Sequence, residues 1–264
     1  MENNSSMKIN NKSNKENVCP NCSTAFYVKG IQLTYCLPYA METDYREYYR
    51  LHDYLPYEIT NCPKCFYCSY NFENVEISSK LKKILLKQEH VYHLPTSEIN
   101  PSTKYYIRGM ILKNTQTTKY DIGWEFLKAS WMARREVDSK LEIFYQQAAI
   151  AEFIDYLRSS PTSNLLYDKA LYLLGELYRR IKEFDLSYKC FKNLKENKCY
   201  KSVINQLVLF LDSKFSGIAF FPNKEMETSE LIELYNDFAF VEDSKSILIN
   251  KSSNYNVVHN YSIA

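Results

Sequence analysis

The sequence predicts an α+β protein that is mainly helical, with a small cysteine-rich ribbon followed by an antiparallel helical array. Two Cys-x-x-Cys pairs lie within the first 65 residues, and hydrophobic residues alternate with polar ones between them. From about Ser78 the hydrophobic period lengthens to about 3.6 residues, which is typical of helices. With 264 residues, of which 45% are hydrophobic and 24% charged, the chain can bury a substantial core.

The composition divides the chain into four segments. Residues 1–17 are rich in Asn, Ser and Lys, and we expect a flexible leader because such a segment buries too little apolar area to fold. A ribbon over 18–77, a helical domain over 78–213 and a C-terminal helix with a loosely ordered tail over 214–264 follow. No signal-peptide core and no apolar run long enough to span a membrane occur, so we expect a cytoplasmic protein without membrane contact.

The predicted ribbon contains short extended elements. Phe26 and Val28 alternate with polar residues, and a second alternating run follows Gly30, which together predict a β-hairpin. A polar, tyrosine-rich loop is predicted over 43–54. Another extended run, Leu55 to Thr60, is predicted to lead into the second cysteine pair.

The remainder of the chain is predicted to form helices. Pro95 and Pro101 mark a break between two helical stretches, Asp138 can cap a longer helix that ends before Pro161, and a turn is expected near Glu183. One helix pair resembles the tetratricopeptide repeat, with less complete copies before and after it. Its pattern is carried by Leu171, Leu174, Gly175, Tyr178, Ser187 and Phe191. Gly175 is expected where the two helices cross closely. A last amphipathic helix is expected around Leu231 to Phe238.

Cys19, Cys22, Cys62 and Cys65 are the predicted ligands of a structural Zn²⁺ ion. Each Cys-x-x-Cys turn brings two sulfurs to one ion, and two turns complete a tetrahedral site. In a reducing cytoplasm such cysteines are better explained as ligands than as disulfides. The alternatives are four unrelated buried thiols or a redox pair, and no strand-then-helix unit supports the latter.

Other ligand candidates are weaker. Cys36 and Cys68 lie near the pairs, and the sequence leaves open whether either takes part in metal binding. Cys190 and Cys199 are interpreted as packing residues in the helical half. The histidines at 52, 90 and 93 have no acidic or cysteine neighbours placed to complete a site.

The composition argues against several enzyme classes. None of the five glycines is close enough to another to build a phosphate-binding loop or a nucleophile elbow, and only four histidines occur. A formal net charge of +2 provides no strong field for nucleic acid or anionic lipid. We therefore expect a binding protein rather than an enzyme.

Several sequence motifs, including the two cysteine pairs, carry a resemblance to a known family. They are Cys19-Pro20-x-Cys22 followed by Phe26, Asp44-Tyr45-Arg46, Pro56-Tyr57 before Cys62-Pro63-x-Cys65, Ala129-Ser130-Trp131 with Arg134, and Gly175 to Arg180. From about Val18 to about Leu211 the chain resembles a bacterial family, domain of unknown function 2225. The resemblance implies a zinc ribbon before tetratricopeptide-like helices, and it implies no reaction. That family usually has glycine after each cysteine pair, where this chain has Ser23 and Phe66.

Two functions of different classes are compatible with these features. The first is a protein-interaction module, an adaptor or scaffold that binds a protein partner through exposed Tyr172, Arg179 and Arg180 on the first helix of the repeat. The second is a nucleic-acid-binding ribbon. Its candidate surface consists of Tyr27, Lys29, Lys64, Phe66 and Tyr67. Acidic residues of the loop oppose this second function because they repel phosphates.

Overall fold

The computed structural model describes residues 14–29, 38–49, 53–73, 75–88, 99–194 and 200–221. Its fold class is α+β and mainly α, as predicted, with antiparallel hairpins first and helices after them. The strands are β1 (Asn14–Val18), β2 (Ala25–Lys29), β3 (Pro38–Met41), β4 (Glu47–Tyr49), β5 (Thr60–Asn61) and β6 (Cys68–Ser69). They pair consecutively as β1 with β2, β3 with β4 and β5 with β6.

The first hairpin differs from the predicted one. Strand β1 pairs with β2, so four residues of the expected flexible leader are part of the ribbon. Strand β1 can consist of polar residues because backbone hydrogen bonds to β2 hold it in place. Asn17, which lies opposite Phe26, is also buried. The alternating run after Gly30, which was predicted to be the partner of β2, lies outside the described residues.

The segment between the two cysteine pairs also differs from expectation. Residues Leu55–Glu58 form a single helical turn, α1, where an extended run was predicted. Pro56 near the start of this turn favours the helix, because its fixed φ suits a first turn and its missing N–H costs nothing there. The predicted loop over 43–54 contains strand β4, and its tight turn reverses the chain between β3 and β4.

The helices are α2 (Ser79–Gln88), α3 (Pro101–Leu112), α4 (Lys119–Arg135), α5 (Ser139–Ser159), α6 (Leu165–Arg180), α7 (Phe184–Leu194) and α8 (Lys201–Asp212). From α3 onward, each helix packs against the next. The Asp138 side chain caps α5 by accepting from the N–H groups of Lys140 and Leu141, as predicted. None of the helices in the described ranges combines the length and apolar character that crossing a lipid bilayer requires. The helix predicted around Leu231 to Phe238 lies outside them.

At three helix crossings, a glycine on one helix packs against a phenylalanine ring on the next. A Cβ atom would lie 2.4 Å from Phe126 at Gly109, 2.9 Å from Phe153 at Gly123 and 2.6 Å from Phe191 at Gly175. The Ser187 hydroxyl donates to the Gly175 carbonyl oxygen at 2.7 Å, which joins α7 to α6 directly. The predicted close crossing at Gly175 is therefore confirmed. That the whole array is tetratricopeptide-like stays a prediction.

The turn between β3 and β4, residues 42–46, lies against the helical array; we call it the inserted turn. The Tyr45 ring packs 5.6 Å from the ring of Tyr172 on α6 and 5.5 Å from that of Phe221. The Tyr172 hydroxyl donates to the Thr43 carbonyl oxygen, and the Thr43 N–H donates to Ala219. The ribbon, α6 and the segment after α8 therefore meet at one place.

Substitution of Gly175 by alanine tests the glycine–phenylalanine crossing. Gly175→Ala should lower the free energy of unfolding by about 1–3 kcal/mol, because the added methyl group overlaps the Phe191 ring. Combined with Phe191→Leu, it should cost less than the sum of the two single changes, as measured by urea denaturation. Lys189→Ala, on the exposed face of α7, should change stability by less than about 0.5 kcal/mol. Additive losses in the double variant would contradict this crossing.

Candidate metal centre and junction cleft

Each cysteine pair forms a turn at the tip of a hairpin; we call these turns the knuckles. In the first, between β1 and β2, the Ser23 N–H donates to the Cys19 carbonyl oxygen at 2.8 Å. In the second, between β5 and β6, the Phe66 N–H donates to the Cys62 carbonyl oxygen at 3.0 Å. Ser23 and Phe66 both have positive φ, at 58° and 56°. The two knuckles thus share one backbone geometry, and in both a residue with a side chain holds a positive φ that glycine adopts more easily.

The knuckles bring the four predicted ligands together. All four Sγ atoms lie within 4.8 Å of one another. Those of Cys19 and Cys65 are 3.5 Å apart, and those of Cys22 and Cys62 are 3.6 Å apart. Four sulfurs placed tetrahedrally at about 2.3 Å from one ion would be separated by about 3.8 Å. The cluster therefore fits a single tetrahedral metal ion.

The protonation of the cluster is uneven. Hydrogen bonds from Cys19 and Cys65 lower the pKa of the Cys62 thiol to about 4. The same interaction with Cys62, followed by that with Cys65, raises the pKa of the Cys19 thiol far above its usual range. A metal ion takes thiolates as ligands, so metal binding would release the protons that the cluster still holds.

The remaining cysteines in the described ranges stay outside the cluster. The Cys68 thiol is fully buried and donates to the Phe66 carbonyl oxygen at 3.2 Å. Cys190 is buried between helices, as expected for a packing residue, and burial raises the pKa of its thiol to about 11. Cys36, Cys199 and the histidines at 52, 90 and 93 lie outside the described residues.

The ribbon surface considered for nucleic acid is only partly available. The Tyr27 side chain is 67% exposed, and Lys64 is exposed as well. Tyr67, however, is 3% exposed because its ring packs edge-on against Phe72, so its assignment to that surface is wrong. Phe66 is half-buried, and the Lys29 side chain is not described.

A second cluster of functional side chains lies where the inserted turn meets the helices. Arg134 on α4 binds Glu42, and it binds Asp44 and Glu142 at 3.1 and 2.7 Å. Arg180 on α6 contacts Glu42 and Glu142, each at 3.3 Å. Although burial opposes ionisation, Arg134 and Arg180 hold the pKa of Asp44 below its ordinary value. Burial, reinforced by the charge of Asp44, raises the pKa of Glu42.

The structure contradicts the predicted partner surface on α6. Tyr172 and Arg179 have no exposed surface, and the Arg180 side chain is 5% exposed. Arg179 binds Glu176 and donates to the carbonyl oxygens of Phe215 and Gly217. The hydrophobic pattern located these residues on the correct helix, but the inserted turn and the segment after α8 cover that face. They are structural residues rather than exposed contacts.

A cleft of about 360 Å³ opens beside this buried network, and we call it the junction cleft. It is lined by Arg46, Tyr48, Tyr49, Asp53, Trp131, Arg134, Arg135 and Ile218. Arg46 binds Asp53 at 2.5 Å, while Arg135 reaches the same carboxylate at 3.4 Å and keeps 48% of its side chain exposed. Phe220, whose ring lies 5.8 Å from that of Tyr48, extends the aromatic surface. The cleft thus combines arginine, aromatic and apolar groups.

Comparison with protein families identifies the chain. Residues 13–209 match the model of a family described as an uncharacterized protein conserved in bacteria, DUF2225. The chain belongs to the DUF2225 family. No curated protein and no solved structure matches it. The DUF2225 match includes both knuckles, the inserted turn and every residue from the start of α3 to the end of α7.

The motifs that suggested DUF2225 occupy two places in the structure. The cysteine motifs form the cluster of four cysteines that could hold a metal ion. The others lie in the inserted turn or beside it: Asp44-Tyr45-Arg46 belongs to the turn, and Trp131 with Arg134 and Glu176 to Arg180 lie on the helices next to it. Sequence reasoning missed the junction cleft because its residues are separated by up to 172 positions and no spacing rule connects them. The opposite charges of Asp44 and Arg134 were the available signal.

Replacement of Ser23 tests the strained knuckle. Ser23→Gly should raise the free energy of unfolding by about 0.5–1 kcal/mol, because glycine adopts positive φ without a Cβ clash. Lys64→Gly is the matched control at an exposed knuckle position without positive φ, and it should lower stability. Urea denaturation of both variants measures the difference. Destabilisation by Ser23→Gly would contradict the strain.

Proposed function

We propose that this protein is a zinc-dependent protein-interaction module, in which the metal is structural and the junction cleft contacts the partner. The observation that carries the proposal is the composition of that cleft. Arginine, tyrosine and tryptophan side chains dominate the few positions that contribute most binding energy in protein interfaces. Here they surround one concavity, with Ile218 and Phe220 exposed at 40% and 43% beside it.

The choice of zinc follows from the ligands. Four thiolates in a tetrahedral cluster match the structural zinc sites of small ribbons, and soft sulfur ligands disfavour magnesium and calcium. When bound, zinc would contribute folding free energy and neutralise the thiolate charges. Four protein ligands leave no open coordination position, which supports a structural rather than a catalytic role.

The position of the knuckles supports a link between metal and partner binding. They enclose residues 23–61, and this segment contains the inserted turn and four of the cleft residues, namely Arg46, Tyr48, Tyr49 and Asp53. A metal ion that joins the knuckles fixes both ends of this segment. Metal loss should therefore loosen the cleft as well as the ribbon.

Metal analysis tests the first half of the proposal. The purified protein should contain one zinc per chain, and Cys65→Ser should lose it and unfold at a lower urea concentration, since one of four ligands is gone. Cys68→Ala, which removes a buried thiol outside the cluster, should keep one zinc per chain. Elemental analysis by mass spectrometry measures both. A site filled by iron, or a Cys65→Ser variant that retains zinc, would contradict this half.

Affinity capture from native cell extract tests the second half. The tagged, nuclease-treated protein should recover a protein partner at near-stoichiometric yield, and Arg135→Glu with Ile218→Asp should reduce recovery at least tenfold. Both substituted side chains are partly exposed, so the fold should survive. Arg158→Glu is the matched control, since this arginine is 77% exposed on α5 and outside the cleft.

Two outcomes would contradict the interaction role. In one, the double variant recovers the same proteins at the same yield as Arg158→Glu. In the other, nuclease removes everything that is recovered, which would favour the nucleic-acid function instead. Circular dichroism and urea denaturation of each variant exclude misfolding as the cause of lost recovery.

A further inference from the structure

We infer that the junction cleft is an oxyanion site, which binds a carboxylate or phosphate group. The inference deepens the proposed function and rests on the same cleft, because it names the chemistry by which a partner or small molecule is recognised. Three features of the described residues carry it: an unpaired indole N–H, an arginine with open donors and a local excess of positive charge.

The first feature is Trp131. Its side chain lines the cleft and is 3% exposed, and its Nε1–H has no hydrogen-bond partner among the described residues. An indole N–H can only donate, so it needs an acceptor. Leaving a buried donor unpaired costs about 1–3 kcal/mol, and an oxygen atom of a ligand that reached this N–H from the cleft would remove the cost.

The second feature is Arg135. Its guanidinium meets Asp53 through Nε alone, at 3.4 Å, and within the described ranges no hydrogen bond of its two terminal nitrogens is present. Arg46 already holds the Asp53 carboxylate through both of its own terminal nitrogens, at 2.5 and 3.4 Å. The terminal nitrogens of Arg135 form a flat pair of donors, which suits carboxylate and phosphate oxygens.

The third feature is charge. At the rim of the cleft Arg46 and Arg135 share the single carboxylate of Asp53. Deeper, Arg134 and Arg180 face Glu42, Asp44 and Glu142. The Arg134 guanidinium is thus paired within the deep layer, whereas the two rim arginines are paired with one carboxylate in the described part of the chain. An anion at the rim would complete the pairing.

The size of the cleft indicates that the oxyanion belongs to a larger molecule. A volume of about 360 Å³ exceeds what a bare phosphate ion fills. Tyr48 and Tyr49 form aromatic walls that would pack against an apolar or planar group beside the charge. The cleft therefore suits a carboxylate or phosphate attached to such a group, whether on a peptide or on a free metabolite.

Nuclear magnetic resonance of the full-length protein tests this site directly. The chain has two tryptophans, Trp124 and Trp131, which give two indole N–H signals. Sodium phosphate and sodium acetate are titrated at constant ionic strength against sodium chloride. We expect a saturable downfield shift of the Trp131 signal, assigned with Trp131→Phe, and a smaller shift of the Trp124 signal. Saturation by acetate alone identifies a carboxylate site, by phosphate alone a phosphate site, and by both a general oxyanion site.

Substitutions separate the site from non-specific salt effects. Arg135→Gln should weaken anion binding about tenfold, the loss expected for one charge-assisted hydrogen bond. Arg158→Gln should bind as the unchanged protein does. The inference is overturned if neither anion gives a saturable Trp131 shift, if Trp124 shifts equally, or if Arg135→Gln binds as well as Arg158→Gln.

This test is independent of partner capture. Anion binding needs no partner, so a saturable Trp131 shift without a recovered protein would overturn only the interaction role. A partner that requires the cleft, together with a Trp131 signal unmoved by both anions, would overturn only the oxyanion site.

Discussion

The architecture depends on the burial of the inserted turn among charged side chains. Glu42, Thr43 and Asp44 are fully buried. Arg134 on α4 binds Asp44, and Arg180 on α6 contacts Glu42. Arg179 on α6 binds Glu176, the carboxylate that accepts from the Thr43 hydroxyl. Charges in such a position are tolerated only when they are paired, and removal of one partner leaves the other buried and uncompensated. The turn, α4, α6 and the segment after α8 therefore constrain one another. Tyr45 at the tip keeps a positive φ of 68° because its ring is held among those of Tyr172, Trp124 and Phe221.

The cysteine cluster and the buried turn are complementary constraints on one segment. The cluster joins the two ends of residues 23–61, whereas Arg134 and Tyr172 hold the middle of this segment. The ribbon also docks on the helices through hydroxyl groups. The Tyr105 hydroxyl on α3 bonds to the Leu55 carbonyl oxygen and the Glu58 carboxylate. The Tyr70 hydroxyl donates to the Glu125 carboxylate on α4. Burial raises the pKa of Glu125 to about 7, so this contact includes a carboxyl that is partly protonated near neutrality.

Sequence patterns predicted most of the described helices and the four cysteines that lie together, because both follow local rules. The cap of Asp138, the close crossing at Gly175 and the approach of the two cysteine pairs all follow from local spacing. Strand β1 was missed because its polar residues are ordered by pairing with β2 rather than by apolar alternation. Tyr172 and Arg179 were assigned to an exposed surface because periodicity identifies the face of a helix but not the segment that covers it. The junction cleft depends on contacts between distant residues, and no local rule describes these.

The inserted turn also bears on how such a chain can change over generations. Thr43 donates to Glu176, 133 positions further along the chain, and Arg179 anchors a segment later still. A recombination event that exchanged the ribbon of one such gene for an unrelated ribbon would leave Glu176, Arg134 and Arg180 without their partners. Despite its small size and its own cysteine cluster, the ribbon is therefore a poor candidate for shuffling between genes. The two halves are expected to be inherited together.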